Sequence, residues 1–503
     1  MNISELFISA AKSYPNKIAI IDPKGSITYS DLEKEVRKTA AYFQKKGIKQ
    51  RDRVLVFVPM GIDLYRIVLA LFYIGATAVF LDEWVNKKRL DLCCKLADCK
   101  GFIGVFKAQF YSFFLKELRQ IPIKLKLKKK LDFSIPIVPV ESDSPALITF
   151  TTGSTGTPKA ANRTHMFLKH QFDALLDEIN PNVDDIDMVV LPIVLFVNLG
   201  VGCTSVIANF KMTKPEAIDA FLLSEQIKIN NVNRITASPF FIKKLSQYAI
   251  ENNIRFTKVQ KVFTGGAPVF PNESALYLNA FPDAISTIVY GSTEAEPISS
   301  ITADNLSATN KDLPYGLPVG RVYHKTNLKI IKISEKDIPS CTTEELKKMT
   351  LGDGEIGEIL VSGPHVLKKY YKNEAAFSAN KIIVENITWH RTGDSGLIRE
   401  TELFLTGRCS QLIKNTNGFL SPFIIENKLQ CIREIKIGTI VEFNNQRILV
   451  LETQLNINQL KPLLTNITHD KVIILKKIPR DLRHNSKIDY AKINLILKES
   501  IIH

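Results

Sequence analysis

Along the first 140 residues the apolar positions alternate between a helical and a strand period. Residues 31–46 repeat at helical spacing, 53–58 form a short β-rich run, 62–73 read as an apolar helix, and 79–81 are the next strand candidate. The longest apolar run, 67–81, lies between Arg66 and Asp82, is too short to span a bilayer and is interrupted by Gly75. It predicts a buried helix turning into a buried strand. Residues 146–150 predict a strand and 164–176 a helix. The alternation resumes from Met188, with a helix over 216–230, a strand over 234–237 and a helix from near Pro239. Farther on the chain turns β-rich, at 328–333 and 358–361. The pattern changes again near Gly407, which places a boundary at 406–410, beyond which 448–452 and 472–475 read as strands. Repeated strand–helix alternation predicts an α/β fold.

Composition narrows the class. The 503 residues are 45% hydrophobic and 23% charged, ordinary for a globular chain with a sizeable core and more than one domain. The first five residues have neither a basic nor an apolar signal region, so no secretory leader is expected. The seven cysteines are irregularly spaced. Only Cys93, Cys94 and Cys99 cluster, with no histidine nearby and no paired C-x-x-C, so reduced thiols and a cytoplasmic location are expected rather than a zinc site. The net charge is +15, but lysine is spread along the chain. The one dense run, 124–130, reads as a solvated loop or edge-strand face, with a peripheral membrane contact as the second reading. Nucleic-acid binding would rest on charge alone and is not expected.

Candidate chemistry begins at Phe150-Thr151-Thr152-Gly153-Ser154-Thr155-Gly156-Thr157-Pro158-Lys159. The flanking patterns predict a strand-to-helix turn. Glycines let backbone amides approach an anion, hydroxyls add donors, and lysine adds a point charge, which together make a polyphosphate cradle. The spacing is not that of a G-x-x-x-x-G-K-[ST] loop. Five further clusters make sense beside it. Gly265-Gly266-Ala267 exposes backbone to a flat ring, although a plain strand-to-helix turn reads the same. Tyr290-Gly291-Ser292-Thr293-Glu294 offers a ring for a purine, a hydroxyl for phosphate and a carboxylate for Mg²⁺. Asp394, in Trp389-His390-Arg391-Thr392-Gly393-Asp394, suits the vicinal hydroxyls of a ribose, and Arg408 suits phosphate or ribose oxygen. Lys487, in the segment 481–488, would supply charge from a mobile lid.

In order and spacing these motifs resemble the adenylate-forming superfamily of acyl- and aryl-CoA synthetases, luciferases and peptide-synthetase adenylation domains. The resemblance covers nearly the whole chain, from Thr28-Tyr29-Ser30-Asp31-Leu32 to Lys487. It implies a large multi-sheet AMP-binding domain over 1–407 and a small, mobile α+β lid over 408–503. By that likeness Thr151, Thr152, Gly153, Ser154, Thr155, Gly156 and Lys159 bind the ATP phosphates. Gly265, Gly266, Ala267, Tyr290 and Gly291 surround adenine, Thr293 contacts phosphate, and Glu294 serves Mg²⁺. Asp394 and Arg408 hold ribose, and Lys487 is the adenylation lysine. The implied substrate is a carboxylic acid, with CoA or a carrier protein acting in trans as acceptor.

The chain departs from the family pattern in places. Thr152 and Ala160 stand where serine and glycine are usual. Gln411 replaces the hinge acid, and Lys414 to Gly418 is one residue longer than usual. Ser486 stands where the lysine motif has glycine. These departures resemble the β-lactone synthetases of bacterial long-chain olefin biosynthesis, which implies a β-hydroxy fatty acid that closes on its own acyl-adenylate without a thiol. The candidate acyl pocket, 191–200 with Leu195, Phe196 and Gly200, is apolar and reads equally as a core strand. It lacks the aspartate that amino-acid adenylation domains carry hereabouts and the histidine that many acyl-CoA synthetases carry near Leu195. His165 reads as a nucleotide contact or a structural residue.

Overall fold

The apolar runs become buried strands and the helices that cover them. The computed structural model describes residues 1–81, 87–111, 114–128, 131, 133, 135–152, 158–211, 215–309, 312–415, 418–481 and 485–499. Two units are formed. One comprises Met1–Ala237, Thr293–Glu296 and Pro364–Ser378; the other comprises Ser238–Ser292, Pro297–Gly363 and Ala379–His503. The segment 408–503 lies wholly within the second. The fold is mixed α/β, sheet-rich through most of its length with a small C-terminal α+β portion, which is the expected class.

In the first unit a six-stranded sheet runs in the order Ile123–Leu125, Gly101–Gly104, Arg53–Phe57, Thr77–Phe80, Pro145–Thr152, Pro158–Thr164. The first five strands are parallel and the last is antiparallel. Helix Ile62–Tyr73 is apolar around most of its circumference because residues 64–73 are all buried. It stops at Gly75, whose φ of +67° suits glycine and whose missing Cβ would meet Val140 at 2.8 Å. The second sheet of this unit holds Arg234–Ala237, Ile186–Val189, Thr204–Ile207 and Ile18–Asp22 in parallel, then Gly25–Thr28 antiparallel. The lysine-rich run begins in strand Ile123–Leu125, at the edge of the six-stranded sheet.

In the second unit, strands Lys261–Gly265 and Ile285–Ser292 pair in parallel. Antiparallel pairing joins Asn327–Ile331, Gly357–Ser362, Ile387–Arg399, Glu402–Arg408 and Leu317–Val322 in that order. Its C-terminal portion packs helices Pro422–Gln430 and Tyr490–Glu499 on a three-stranded sheet, around Leu429, Leu449 and Leu451 and around Val450, Ile493 and Leu497.

Three local expectations are corrected. The segment after the phosphate loop is a strand, Pro158–Thr164, before helix His165–Ile179 begins, so the loop joins two antiparallel strands. Residues 192–201 form a helix, with Pro192 in its first turn and Gly202 left-handed (φ +102°) at its end. The 216–230 helix is shorter than its pattern. A 3₁₀ turn, Pro215–Ala217, precedes helix Ala220–Ile229, which starts where the Asp219 side chain accepts the Leu222 N–H.

Candidate active site

In the first unit the phosphate-loop residues lie on a hairpin. Thr151 faces Lys159 and Thr152 faces Pro158 across the ladder, and Ala160 pairs with Phe150. Gly153, Ser154, Thr155 and Gly156 lie outside the described residues. Next to this hairpin the segment 364–378 runs beside 293–296. Ala161 bridges Tyr370, Ala295 bridges Val366, and the Leu367 N–H donates to the Glu294 carbonyl at 2.7 Å. The Tyr370 hydroxyl donates to Glu294 Oε1 at 3.1 Å, and Arg163 Nη2 donates to the Thr293 carbonyl at 3.3 Å. Burial, then the Glu294 charge, pushes the Tyr370 phenol far up, so it stays a donor. Glu294 is thus a half-buried carboxylate aimed by a hydroxyl. No group of three His, Cys, Asp or Glu among the described residues makes a protein-only metal site. A single carboxylate fits Mg²⁺, which binds through one or two carboxylates and substrate phosphates.

In the second unit the paired glycines differ. A Cβ on Gly265 would lie 2.4 Å from the Val289 carbonyl oxygen, so the close strand pair requires glycine. Gly266 has φ +86° and nothing within 4 Å of its absent Cβ, which leaves its backbone open beside Ala267. One residue past Val289, the Tyr290 hydroxyl donates to Asp394 Oδ2 at 2.8 Å. Arg408 meets the other oxygen of Asp394 at 3.1 Å and donates through Nη1 to the Thr392 carbonyl. Burial, then the Asp394 charge, holds the Tyr290 phenol well above its ordinary pKa. The turn behind Asp394 is fixed from within. Arg391 grips Glu358 Oε2 with two donors at 2.9 and 2.6 Å, and Gly393, at φ +69°, donates to Glu358 Oε1. Tyr290, Asp394 and Arg408, separated by up to 118 residues, therefore form one cluster, with Gly291 next in the strand.

Lys487 is held differently. Asp481 Oδ1 accepts the backbone N–H of Ser486 and of Lys487, at 2.9 and 2.6 Å, and the Lys487 carbonyl accepts the Asp481 N–H. The left-handed position of this loop is Asn485 (φ +51°), so Ser486 needs no glycine conformation. The Lys487 side chain is exposed. Gln411 ends a short 3₁₀ turn, Cys409–Gln411, and precedes the hairpin Ile413–Asn415 and Gly418–Leu420.

The AMP-binding enzyme family matches residues 7–371 of this chain. The chain belongs to that family. An olefin β-lactone synthetase of Xanthomonas campestris pv. campestris is 26% identical over 456 residues, covering 83% of this chain and 80% of that protein. The 4-coumarate:CoA ligase 1 of Petunia hybrida is 26% identical over 428 residues, covering 79% and 74%. The fold matches that of an O-succinylbenzoate CoA synthetase from Bacillus subtilis in complex with AMP, at TM-score 0.78, 19% identity and 96% of each chain. An amide bond synthetase from Marinactinospora thermotolerans matches at TM-score 0.81 and 19% identity, over 98% of this chain and 99% of that one. This AMP-binding enzyme is accordingly an adenylate-forming ligase that activates an acid.

In this enzyme the candidate acyl residues sit on helix Pro192–Val201. Leu195 is fully buried core. The Phe196 ring packs on Tyr65 at 5.0 Å and Phe72 at 5.9 Å, and a Cβ on Gly200 would strike the Phe172 ring at 2.6 Å. The nearest buried acid is already engaged. Asp187 accepts from Asn198 at 2.9 Å and Thr236 at 3.0 Å, and faces the buried Arg234 at 3.4 Å. His165 is structural: its Nδ1 accepts the Ile3 N–H at 3.1 Å, and burial, then the N-terminal amine, pushes it down to about 4.

Sequence reasoning missed Tyr370, Arg163 and the Glu358–Arg391 pair. Tyr370 lies 76 residues from its partner, and no local pattern marks it.

Proposed function

We propose that this enzyme converts a fatty or β-hydroxy fatty acid to its acyl-adenylate and passes the acyl group to CoA or another acceptor. The observation that carries the first step is the Tyr290–Asp394–Arg408 cluster, a carboxylate and guanidinium set for a ribose beside the open Gly266 backbone. A substrate carboxylate oxygen bonds to the α-phosphorus while the bond to pyrophosphate breaks. Both reactants are anions, so catalysis is alignment and charge neutralisation. Lys159 and the loop 151–156 take the leaving phosphates, Thr293 adds a hydroxyl, and Lys487 supplies positive charge at the α-phosphate. Mg²⁺ on Glu294 would neutralise phosphate charge, with Tyr370 fixing that carboxylate. The packing of Phe196 against the Tyr65 and Phe72 rings supports an apolar acid.

The second half-reaction has a competing reading. Gln411 in place of the hinge acid, and the longer spacing from Lys414 to Gly418, favour closure by the substrate's own β-hydroxyl, which releases AMP and needs no CoA. A carrier protein in trans is the third acceptor. The test is incubation with ATP, Mg²⁺ and a panel of fatty and β-hydroxy fatty acids, with and without CoA, read by mass spectrometry. AMP with a dehydrated product and no CoA requirement selects the lactone, and a CoA thioester eliminates it. If no acid yields AMP, activation of fatty acids is refuted.

A further inference from the structure

A row of exposed aromatic side chains lies at the edge of the first unit's six-stranded sheet. Helix Phe106–Tyr111 follows strand Gly101–Gly104, and Phe106 and Phe110 fall on one side of it at a spacing of four. Phe106 is 87% exposed, Phe110 55% and Phe114 67%. The Phe110 and Phe114 rings pack together at 5.3 Å, which continues the row instead of burying it. Single exposed apolar residues are common, but three large ones in contact or in register are not.

The surroundings are basic. Over 105–128 the chain carries six lysines and arginines and one acid, Glu117. Gln109 donates to the Leu125 carbonyl at 2.9 Å, which fastens this helix to the edge strand and sets exposed Lys126 next to it. Lys107 lies within the row, and Lys116 follows Phe114 by two residues; both are exposed. Lys124 is used otherwise: its ammonium sits over the Phe102 ring and reaches the Leu118 carbonyl.

We propose that Phe106, Phe110 and Phe114, ringed by Lys107, Lys116 and Lys126, form a docking surface for an anionic lipid bilayer. Charge complementarity selects this occupant. Ammonium groups pair with lipid phosphates at headgroup level, while the three rings enter the acyl boundary, where they need no shaped pocket. Neither element alone suffices: the rings give the contact its depth, and the lysines give it its sign. The surface is independent of the acid proposed above and contains none of the active-site residues.

The test is sedimentation of the full chain with phosphatidylcholine vesicles, with and without phosphatidylglycerol. Binding is expected only to the anionic vesicles and weakens as salt rises. A Phe106→Ser, Phe110→Ser, Phe114→Ser variant lowers partitioning at least tenfold. A Lys107→Glu, Lys116→Glu, Lys126→Glu variant does the same, and both keep the parent's melting temperature because the replaced groups are exposed. No binding to anionic vesicles, equal binding to neutral ones, or undiminished binding by the folded serine variant overturns the proposal.

Discussion

The Asp394 cluster and the Lys487 loop belong to the same unit but are built on opposite plans. Around Asp394, side chains hold side chains: Tyr290 and Arg408 take the two carboxylate oxygens, and Arg391 with Glu358 braces the turn behind. Around Lys487, Asp481 fixes the backbone, and the side chain is exposed. A group that must bind every substrate the same way is set before binding. A group needed only when charge develops can be presented on a loop. Under the proposed roles the difference separates binding from rate, and that separation can be measured.

The largest effect expected is from Lys487→Ala. It lowers acid-dependent pyrophosphate exchange by about 10²–10³, equivalent to roughly 3–4 kcal/mol, with the KM for ATP and the melting temperature little changed. Near-normal exchange would remove Lys487 from the reaction and dissolve the contrast.

A second effect concerns what holds the Lys487 region to its core. Glu426 is buried, accepts from Thr439 Oγ1 at 2.7 Å and from the Tyr490 hydroxyl, three residues after Lys487, and burial pushes its carboxyl up to about 7. The folded pKa exceeds the unfolded value, so the native state holds the proton longer. Stability from this group is therefore full below about pH 4.5 and is lost as pH rises towards 7, by on the order of 3 kcal/mol in total. Glu426→Gln keeps both accepted hydrogen bonds and flattens the slope of chemical-denaturation stability between those values. An unchanged slope rejects the assignment.

Asp394→Asn comes next. It breaks the ion pair with Arg408 and is expected to raise the KM for ATP about tenfold or more, with a stability cost of about 1–3 kcal/mol because the change falls on a braced cluster. Should kcat fall while KM holds, the cluster is not a binding device. The smallest effect is from Asp481→Ala, which frees two backbone donors. It should lower kcat about tenfold at constant KM, and Asp481→Asn, which retains an acceptor oxygen, should restore most of the rate.

How legible these regions were follows from where their information lies. Helix Ile62–Tyr73 was readable because its residues are apolar apart from Asp63 and Arg66 and the run meets Gly75 just beyond its end. Strand Pro158–Thr164 was not, because its buried positions are filled by proline, two alanines and an arginine, which make no apolar alternation. The helix at 192–201 carried its signals, Pro192 at the start and Gly202 at the end, but continuous hydrophobicity looks the same in a buried strand. Asp394 and Arg408 were visible as motifs, and their ladder register shows why they meet. Glu294 with Tyr370, and Glu426 with Tyr490, join residues 76 and 64 positions apart, and nothing local to either partner announces the other.

Gly265 has a consequence for how such a chain tolerates change. Its missing side chain lets the two strands lie so close that its own position and that of Val289 are locked at one rung, with Tyr290 a single step beyond. The ladder acts as a ruler, while helix Pro271–Ala280 and its flanking loops are slack between two fixed marks. Residues gained or lost in that slack leave the distance from Gly266 to Tyr290 untouched, whereas one residue gained inside either strand displaces a mark. Length variation between these two motifs should therefore gather in 267–284 and spare 261–265 and 285–290.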